Sequence, residues 1–147
     1  MEIPADPNVC SQAWAALNAA HSRVSERLIS SLSKTCGLSV NDFEILRRLD
    51  KVPPPGMRLG DLMPAIRLTQ PSLSRMVARL VRQGWLARTE DPNDGRSVLV
   101  ALTPAGRQVL LTAVPVHAQA IHEALLARLS PTERETLNAA LTRITED

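Results

Sequence analysis

Apolar residues recur at helical spacing near both ends of the chain. Near the N terminus they follow a 3-4-3-4 spacing, which places them on one face of a helix over about residues 9–33. These positions are Trp14, Leu17, His21, Val24 and Leu28, with histidine at the one position of the five that is not apolar. Near the C terminus, a capping box from Ser130 to Glu133 opens a helix that buries Leu137, Leu141 and Ile144. Neither helix has enough neighbouring chain to cover its apolar face, which predicts a dimerisation layer.

The segment after the first helix alternates short helices with turns. Ser39 is suited to be the N-cap of a helix that buries Phe43 and Leu46. Residues 53–56, three prolines and a glycine, form an extended connector, because consecutive prolines cannot continue a helix. A short apolar helix is expected around residues 62–66, with Pro64 inside it.

The segment from Thr69 to Gly84 is predicted to be a helix with one apolar and one basic face. Pro71 is suited to its first turn and Gly84 to its C-terminal end. The buried stripe follows i, i+3, i+4, i+7, i+8 and comprises Leu73, Met76, Val77, Leu80 and Val81. The opposite stripe has no acidic residue and comprises Ser72, Arg75, Arg79 and Arg82.

A β-hairpin is predicted directly after this basic helix. Residues 85–89 and 97–102 have the composition of strands, and the turn-rich tip between them runs from Asp91 to Arg96. Thr103 and Pro104 then supply the N-cap and the first turn of a long helix, which Pro115 is expected to bend.

This order of elements predicts a mainly α fold with a small β-hairpin wing, in the α+β class. The middle, residues 38–103, has the pattern of a winged helix-turn-helix lobe. Residues 9–36 and 104–147 are the expected N- and C-terminal dimerisation helices, so the whole chain is expected to form a single unit.

Length and composition narrow the classes of function. The chain has 147 residues, of which 44% are hydrophobic and 22% charged, as in an ordinary globular protein. It has no glycine-rich phosphate loop, no G-x-S-x-G elbow and no paired histidine motif, so an enzyme is not expected. No uninterrupted apolar run approaches the ~20 residues that span a bilayer, and the N terminus does not resemble a secretory signal, which predicts a cytoplasmic protein without a membrane partner.

The distribution of charge favours double-stranded DNA as the partner, although the net charge is only +2. Ser72 and Arg75 lie in the half of the basic helix that usually contacts bases, and Arg79 and Arg82 are better placed for phosphates. Arg96 at the hairpin tip is suited to the adjacent minor groove. The alternatives are a solvated basic face and a winged-helix module that binds another protein.

The motif from Asp94-Gly95-Arg96 to Leu102-Thr103, preceded by Arg79-Leu80 and by residues 84–88, resembles the D-x-R wing motif of the MarR family. The resemblance extends in helix order over nearly the whole chain. It implies a homodimeric repressor or activator that binds a pseudo-palindromic site and is released by a small ligand or by oxidation. We expect a repressor.

The same resemblance implies roles for individual residues. Ser72, Ser74 and Arg75 would contact bases or phosphates, and Arg96 would be the minor-groove residue of the wing. Asp94 would brace the wing through an ion pair, for which Arg88 is the candidate partner. Pro64 and the three consecutive prolines depart from the family pattern.

The resemblance also directs attention to a small-molecule pocket near Trp14, His21, Phe43 and Arg47. An imidazole at position 21 suits a phenolic or anionic effector, or a hydrogen bond within the dimer interface. A second alternative is redox sensing through Cys10, because a helix N terminus favours the thiolate. The two cysteines are expected to be free thiols.

His117 and His122 together with Glu123 are candidate ligands of a metal sensor, but an i, i+5 spacing sets the histidines apart around the helix. The sequence therefore predicts neither a metal site nor a cofactor.

Overall fold

The computed structural model describes residues 6–66 and 68–146, and this part of the chain is mainly helical with a small antiparallel sheet. The helices are α1 (Pro7–Cys36), α2 (Val40–Asp50), α3 (Leu59–Leu62), α4 (Gln70–Arg82), α5 (Pro104–Ala124) and α6 (Pro131–Thr145). The strands are β1 (Met57–Arg58), β2 (Leu86–Asp91) and β3 (Asp94–Leu102). The predicted fold class, with a hairpin wing between helices, is confirmed.

The chain divides into two compact units. We call Leu32–Val116 the wing unit, and the described residues of Met1–Ser31 and His117–Asp147 the terminal-helix unit. Both boundaries fall inside helices, α1 and α5, because the last turn of α1 and the first half of α5 pack into the wing-unit core. The wing unit is therefore longer at both ends than the predicted lobe of residues 38–103. Residue 147, the end of the predicted second dimerisation segment, lies outside the described residues.

The wing unit has a continuous apolar core. Its α2 buries Phe43, Ile45, Leu46 and Leu49, and its α4 buries Leu73, Val77 and Leu80. The positions on α4 follow the predicted stripe, whereas Met76 and Val81 are only partly buried at its edges. Packing of α4 against α2 and the sheet therefore leaves the opposite, basic face of α4 outside the core.

Helix caps at several predicted positions are present. The hydroxyl of Ser39 accepts the Asp42 N–H at 3.0 Å, and Asp42 accepts the Ser39 N–H at 2.9 Å. Ser130 and Glu133 form the same reciprocal box at the start of α6. Gly84 adopts φ 77° just after α4, a conformation that L side chains rarely adopt, so it ends the helix as predicted.

The third helix lies earlier in the chain than expected. The predicted helix around residues 62–66 is instead α3, which stops at Leu62, followed by a 3-10 turn over Met63–Ala65. Pro64 lacks the N–H that an α-helix would need at this point, which explains why the α-helix does not continue.

The sheet has the order β1-β3-β2, with β3 in the centre. Strand β1 was not predicted, because two residues are too few to show an alternating pattern. Gly56 permits the approach: it has φ 109°, and a Cβ there would lie 2.2 Å from the carbonyl oxygen of Val100. This contact lets Met57 pair with Val100, so β1 joins the start of α3 to the hairpin.

The terminal-helix unit buries few of its apolar side chains. Among its described residues, only the small Ala120 and Ala124 belong to the buried hydrophobic set. Exposed large apolar residues on α1 and α6 are Val9, Trp14, Leu17, Ile29, Leu141 and Ile144. The predicted apolar face from Trp14 to Leu28 thus lies on a helix, as expected. Its first half, up to His21, is exposed in a single chain.

One described segment, Pro104–Arg128, is long and apolar enough by length and composition to cross a membrane, with a mean hydropathy of 1.3. Its first half packs Leu110 and Ala113 into the wing-unit core. It also exposes Leu111 and Val114. Burial in the core therefore explains part of the hydropathy of this helix.

Candidate nucleic-acid interface

The N-terminal end of α4 is polar and open. Thr69, its N-cap, donates a hydrogen bond to the Ser72 hydroxyl at 3.0 Å instead of capping a backbone N–H, and the first turn has no acidic residue. The positive end of the helix dipole therefore has no acidic residue beside it. This is the local arrangement that attracts phosphate groups to helix N termini.

The predicted DNA-contacting residues of α4 differ in exposure, and all but Ser74 lie on its outward stripe. Arg75 is exposed and donates to the Ser72 hydroxyl at 3.3 Å. Ser72 and Ser74 are half-buried, and Arg82 is exposed at the C-terminal end. The structure thus brings a hydroxyl and a guanidinium together one turn into the helix, where side chains reach base edges in a major groove.

Arg79 differs from the other arginines of α4. Its guanidinium forms an ion pair with Asp42, whose side chain is 3% exposed, and its other terminal nitrogen lies 3.4 Å from the Gln83 amide oxygen. The side chain of Arg79 remains 38% exposed. Its predicted contact with a phosphate stays a prediction, but the guanidinium is engaged within the protein.

The wing is a hairpin with a two-residue loop, Pro92-Asn93, between β2 and β3. The predicted tip, Asp91 to Arg96, was too wide, because Asp91 ends β2 and Asp94 begins β3 opposite it. Arg96 is exposed near the start of β3. The wing therefore presents an arginine beside its loop, where insertion into a minor groove is sterically open.

A buried carboxylate anchors the wing. Asp91 is 5% exposed and accepts hydrogen bonds from the Asn93 N–H at 2.9 Å and from Arg58 Nε at 2.8 Å. Arg58 precedes α3, so this ion pair joins the loop end of the hairpin to the start of α3. The hydrogen bond that Arg58 donates to Asp91, followed by the negative charge of Asp91, raises the pKa of Arg58.

The predicted ion pair of Arg88 with Asp94 is wrong. Arg88 lies opposite Val100, six positions along β3 from Asp94, or about 20 Å at ~3.3 Å per residue. Asp94 instead accepts from the Ser97 hydroxyl at 2.7 Å and from the Arg96 N–H at 3.1 Å. These two bonds, the hydroxyl first, hold the pKa of Asp94 below its ordinary value. Asp94 therefore stabilises the turn locally, and Arg58 with Asp91 forms the longer-range brace.

A concave surface lies between the start of α3, the start of α4 and the two strands of the wing. Its volume is about 290 Å³. The lining residues are Arg58, Leu59, Gly60, Asp61, Gln70, Arg88, Arg96, Ser97 and Val98. Three arginines against one acidic residue make it net positive. Such a surface suits the backbone of a nucleic acid where it passes from the helix to the wing.

The structure adds three residues that sequence reasoning missed, namely Asp42, Arg58 and Asp91. Asp42 could have been found, because Ser39-x-x-Asp42 has the spacing of a capping box. The two ion pairs join residues 37 and 33 positions apart. Local sequence patterns do not specify contacts at that separation.

The residues predicted to line an effector pocket do not share one environment. Phe43 is 1% exposed in the wing-unit core, and Arg47 is exposed on α2, where it pairs with Glu44 at 2.8 Å. Trp14 and His21 are exposed in the terminal-helix unit, and the imidazole lies 3.5 Å from the Ser25 hydroxyl. Phe43 is therefore a core residue of the wing unit, whereas the other three residues are exposed. The effector pocket expected from these four residues stays a prediction.

The terminal-helix unit has a polar cavity of about 480 Å³. It is lined by Arg23, Glu26, Arg27, Ser30, Glu123 and Ala124. Arg27 pairs with Glu123, and Arg23 Nε donates to the Ala124 carbonyl at 3.1 Å. Its arginines are thus already engaged by acceptors of the same unit.

The two cysteines are free thiols in different surroundings. Cys10 is exposed near the start of α1, where its proposed redox role stays a prediction. Cys36 is half-buried, and burial raises its thiol pKa, which disfavours the reactive thiolate. Among residues 6–66 and 68–146, no cluster of three or more histidine, cysteine or acidic side chains has the placement needed to hold a metal ion.

Comparison with known proteins gives consistent matches. The family model described as MarR family matches residues 38–98. The uncharacterized HTH-type transcriptional regulator YkoM of Bacillus subtilis is 33% identical over 114 residues, which are 78% of this chain and 71% of YkoM. For other curated relatives, the chain spans about half of their length.

Two solved structures are similar over nearly the whole chain. The MarR family regulator Sco3205 of Streptomyces coelicolor, solved in complex with DNA, has a TM-score of 0.86 at 26% identity, covering 99% of this chain and 91% of that one. BpsR of Bordetella bronchiseptica, whose DNA binding is regulated by 6-hydroxynicotinic acid, has a TM-score of 0.78 at 27% identity, covering 92% and 99%.

Proposed function

The chain belongs to the MarR family of transcriptional regulators, and we propose that it is a homodimer that binds a pseudo-palindromic DNA operator in the cytoplasm and represses transcription. Members of this family are regulators and not enzymes. The observation that supports DNA binding most directly is the outward basic face of α4 beside the exposed Arg96 of the wing. A similar protein, Sco3205, binds DNA in its crystal structure.

The exposed apolar side chains of the terminal-helix unit support the homodimer. Trp14 is 65% exposed and Ile144 is 75% exposed, and both lie on helices with further exposed apolar residues. Burying such side chains against a second copy removes them from water, at roughly 25 cal/mol per Å² of apolar area. Two-fold symmetry then requires half-sites about 10 base pairs apart, one turn of the double helix.

Release by a small molecule is the second part of the proposal. The effector we propose is phenolic or anionic, which matches the chemistry of 6-hydroxynicotinic acid at BpsR. To release DNA, such a ligand must bind the DNA-free conformation more tightly than the DNA-bound one.

The first test is fluorescence anisotropy with the DNA upstream of the protein's own gene and an unrelated duplex, at two salt concentrations. We expect tight, salt-dependent binding that favours the upstream DNA, with two protomers per site. Equal binding to both duplexes at each salt concentration would contradict sequence-specific regulation through this site.

Arginine variants then separate base contacts from phosphate contacts. Arg75→Ala should relax base preference at one position of each half-site, at a cost of about 1–3 kcal/mol per lost base contact. Arg82→Ala should weaken all sequences alike and lower the salt slope by about one per protomer. Arg48→Ala is the control, because it removes the same charge from an exposed position of α2. It should change neither the base preference nor the salt slope.

Arg96→Ala tests the wing separately from the helix. Loss of a guanidinium from a narrow minor groove should weaken operators with A·T-rich flanks more than those with G·C-rich flanks. An equal loss for both flanks would assign Arg96 to a phosphate, and an unchanged affinity for every duplex would remove the wing from the DNA interface and favour a protein partner.

A further inference from the structure

A single buried carboxylate connects the N terminus of α2 with the last turn of α4. Asp42 is 2% exposed and is one of two buried polar or charged residues in the described part of the chain, with Asp91. Its Oδ2 accepts the Ser39 N–H at 2.9 Å, and its Oδ1 accepts from Arg79 Nη2. The oxygens of one side chain are thus divided between the cap of one helix and an arginine of another.

Neither bond of Asp42 is easily replaced. The capping bond satisfies a backbone N–H that α2 itself leaves unpaired, and the negative charge lies at the positive end of the α2 dipole. Removing Arg79 would leave a buried carboxylate oxygen without a partner, and burial makes this costly. The carboxylate therefore holds Arg79 at a fixed position relative to α2.

Arg79 shares the outward stripe of α4 with the residues proposed to contact DNA. It follows Arg75 by four positions and precedes Arg82 by three, so the three side chains project from neighbouring turns. Fixing Arg79 against α2 therefore fixes the rotation of α4 about its axis. Contacts with base edges tolerate displacements of only about 0.5 Å or 10–20°.

We propose that Asp42 is a positioning residue for DNA recognition, and that Arg79 holds α4 in register through Asp42 instead of binding a phosphate. This inference rests on the proposed DNA-binding function. It assigns sequence specificity in part to a buried acidic residue that never touches DNA.

Two neutral variants test the pair. Asp42→Asn keeps an amide oxygen for the Ser39 N–H but turns an NH₂ group, a donor, toward the guanidinium of Arg79. Arg79→Gln removes the positive charge and leaves Asp42 in place. Arg82→Gln is the matched control, because it removes the same charge from an exposed position of the same helix.

The measurement is the ratio of affinities for the operator and an unrelated duplex, by anisotropy at several salt concentrations. Asp42→Asn and Arg79→Gln should each lower this ratio about tenfold, which is roughly 1.4 kcal/mol, by misplacing the base contacts. Their affinity for the unrelated duplex and its salt slope should stay as in the wild type. Both substitutions break the same interaction. The affinity ratio of the double variant should therefore fall no further than that of the more strongly affected single variant.

Other outcomes would overturn the proposal. If Asp42→Asn keeps the wild-type ratio, Asp42 does not position α4. If Arg79→Gln weakens both duplexes alike and lowers the slope by about one per protomer, as expected of Arg82→Gln, Arg79 binds a phosphate. Circular dichroism establishes folding, and Arg79→Gln alone decides the question if Asp42→Asn does not fold. Wild-type protein without preference for any operator would contradict the proposed function itself, whatever the variants do.

Discussion

The two units of the chain differ in how completely they bury their own apolar side chains. The wing unit buries large residues from α2, α4 and the sheet, among them Phe43, Leu80 and Val100 at 1% exposure or less. In the terminal-helix unit, the buried hydrophobic set consists of two alanines, and Trp14 is 65% exposed. The wing unit has a core that one chain completes, and the terminal-helix unit does not.

The charged groups of the two units differ in the same way. The wing unit has two ion pairs with a buried carboxylate, at Asp42 and Asp91. In the terminal-helix unit, Arg27 and Glu123 are both substantially exposed, at 52% and 39%. Exposed pairs contribute little to stability, whereas buried carboxylates are costly without their partners. The proposed DNA-contacting surface thus lies on a unit braced by two pairs with a buried carboxylate, whereas Arg27 and Glu123 of the terminal-helix unit form an exposed pair.

The largest effect expected is the loss of a core side chain in the wing unit. Phe43→Ala should lower the free energy of unfolding by about 3–5 kcal/mol, because it removes a large buried ring and leaves a cavity. Urea denaturation measures this. Leu46→Met, which conserves volume in the same core, is the control and should cost less than about 1.5 kcal/mol. Equal losses for the two variants would contradict a tightly packed wing-unit core.

Local features of this fold followed from the sequence, and long-range ones did not. The caps at Ser39 and Ser130 and the stripe on α4 depend on residues within one or two helical turns, so spacing alone predicts them. The arginine partners of Asp42 and Asp91 lie more than 30 positions away, and these ion pairs depend on how helices and strands pack. The mistaken pairing of Arg88 with Asp94 has the same cause, because the register of β2 on β3 sets their separation.

The candidate site shows the same division. The sequence predicted which arginines lie on the outer face of α4, because helical periodicity determines the face. It did not predict that Arg79 would be engaged by Asp42. Nor did it predict where the two compact units divide, because the boundaries fall inside α1 and α5 and no change in composition marks them.

Trp14→Ala should have the next largest effect, on association instead of folding. If the exposed indole is buried between two copies, its loss should weaken the dimer by about 2 kcal/mol, roughly a 30-fold rise in the dissociation constant. Sedimentation equilibrium measures this constant. Gln12→Ala, about 200° around the helix from Trp14, is the control and should leave it unchanged. A wild-type dissociation constant for Trp14→Ala would exclude this face from the dimer interface.

Asp91→Asn should have a smaller and more local effect on the wing. The amide oxygen can still accept the Asn93 N–H, but the ion pair with Arg58 is lost. We expect faster amide hydrogen exchange in the loop end of the hairpin, with little change in α4 or in the terminal-helix unit. Glu90→Gln, an exposed neighbour, is the control. Unchanged exchange in the hairpin would show that Asp91 and Arg58 do not brace the wing.

The smallest effect expected is a change in the pKa of two surface carboxylates, one from each unit. The pKa of Asp94 lies below 3.8, chiefly because of the Ser97 hydroxyl, and the pKa of Glu133 lies below 4.5, chiefly because of the Ser130 backbone N–H. Since folding lowers both values, each group stabilises its turn fully above its ordinary pKa and loses this contribution as the pH falls through the lowered one.

Alanine substitutions of the two serines should therefore have unequal consequences. Ser97→Ala removes the largest cause and should raise the pKa of Asp94 toward its ordinary value. Ser130→Ala keeps the backbone N–H, so the pKa of Glu133 should recover only in part. Carboxyl ¹³C chemical shifts followed by NMR through the acid range measure both values. If the pKa of Glu133 returned fully to its ordinary value, the serine side chain and not the backbone N–H would be its main partner. Both carboxylates would then depend on a serine hydroxyl.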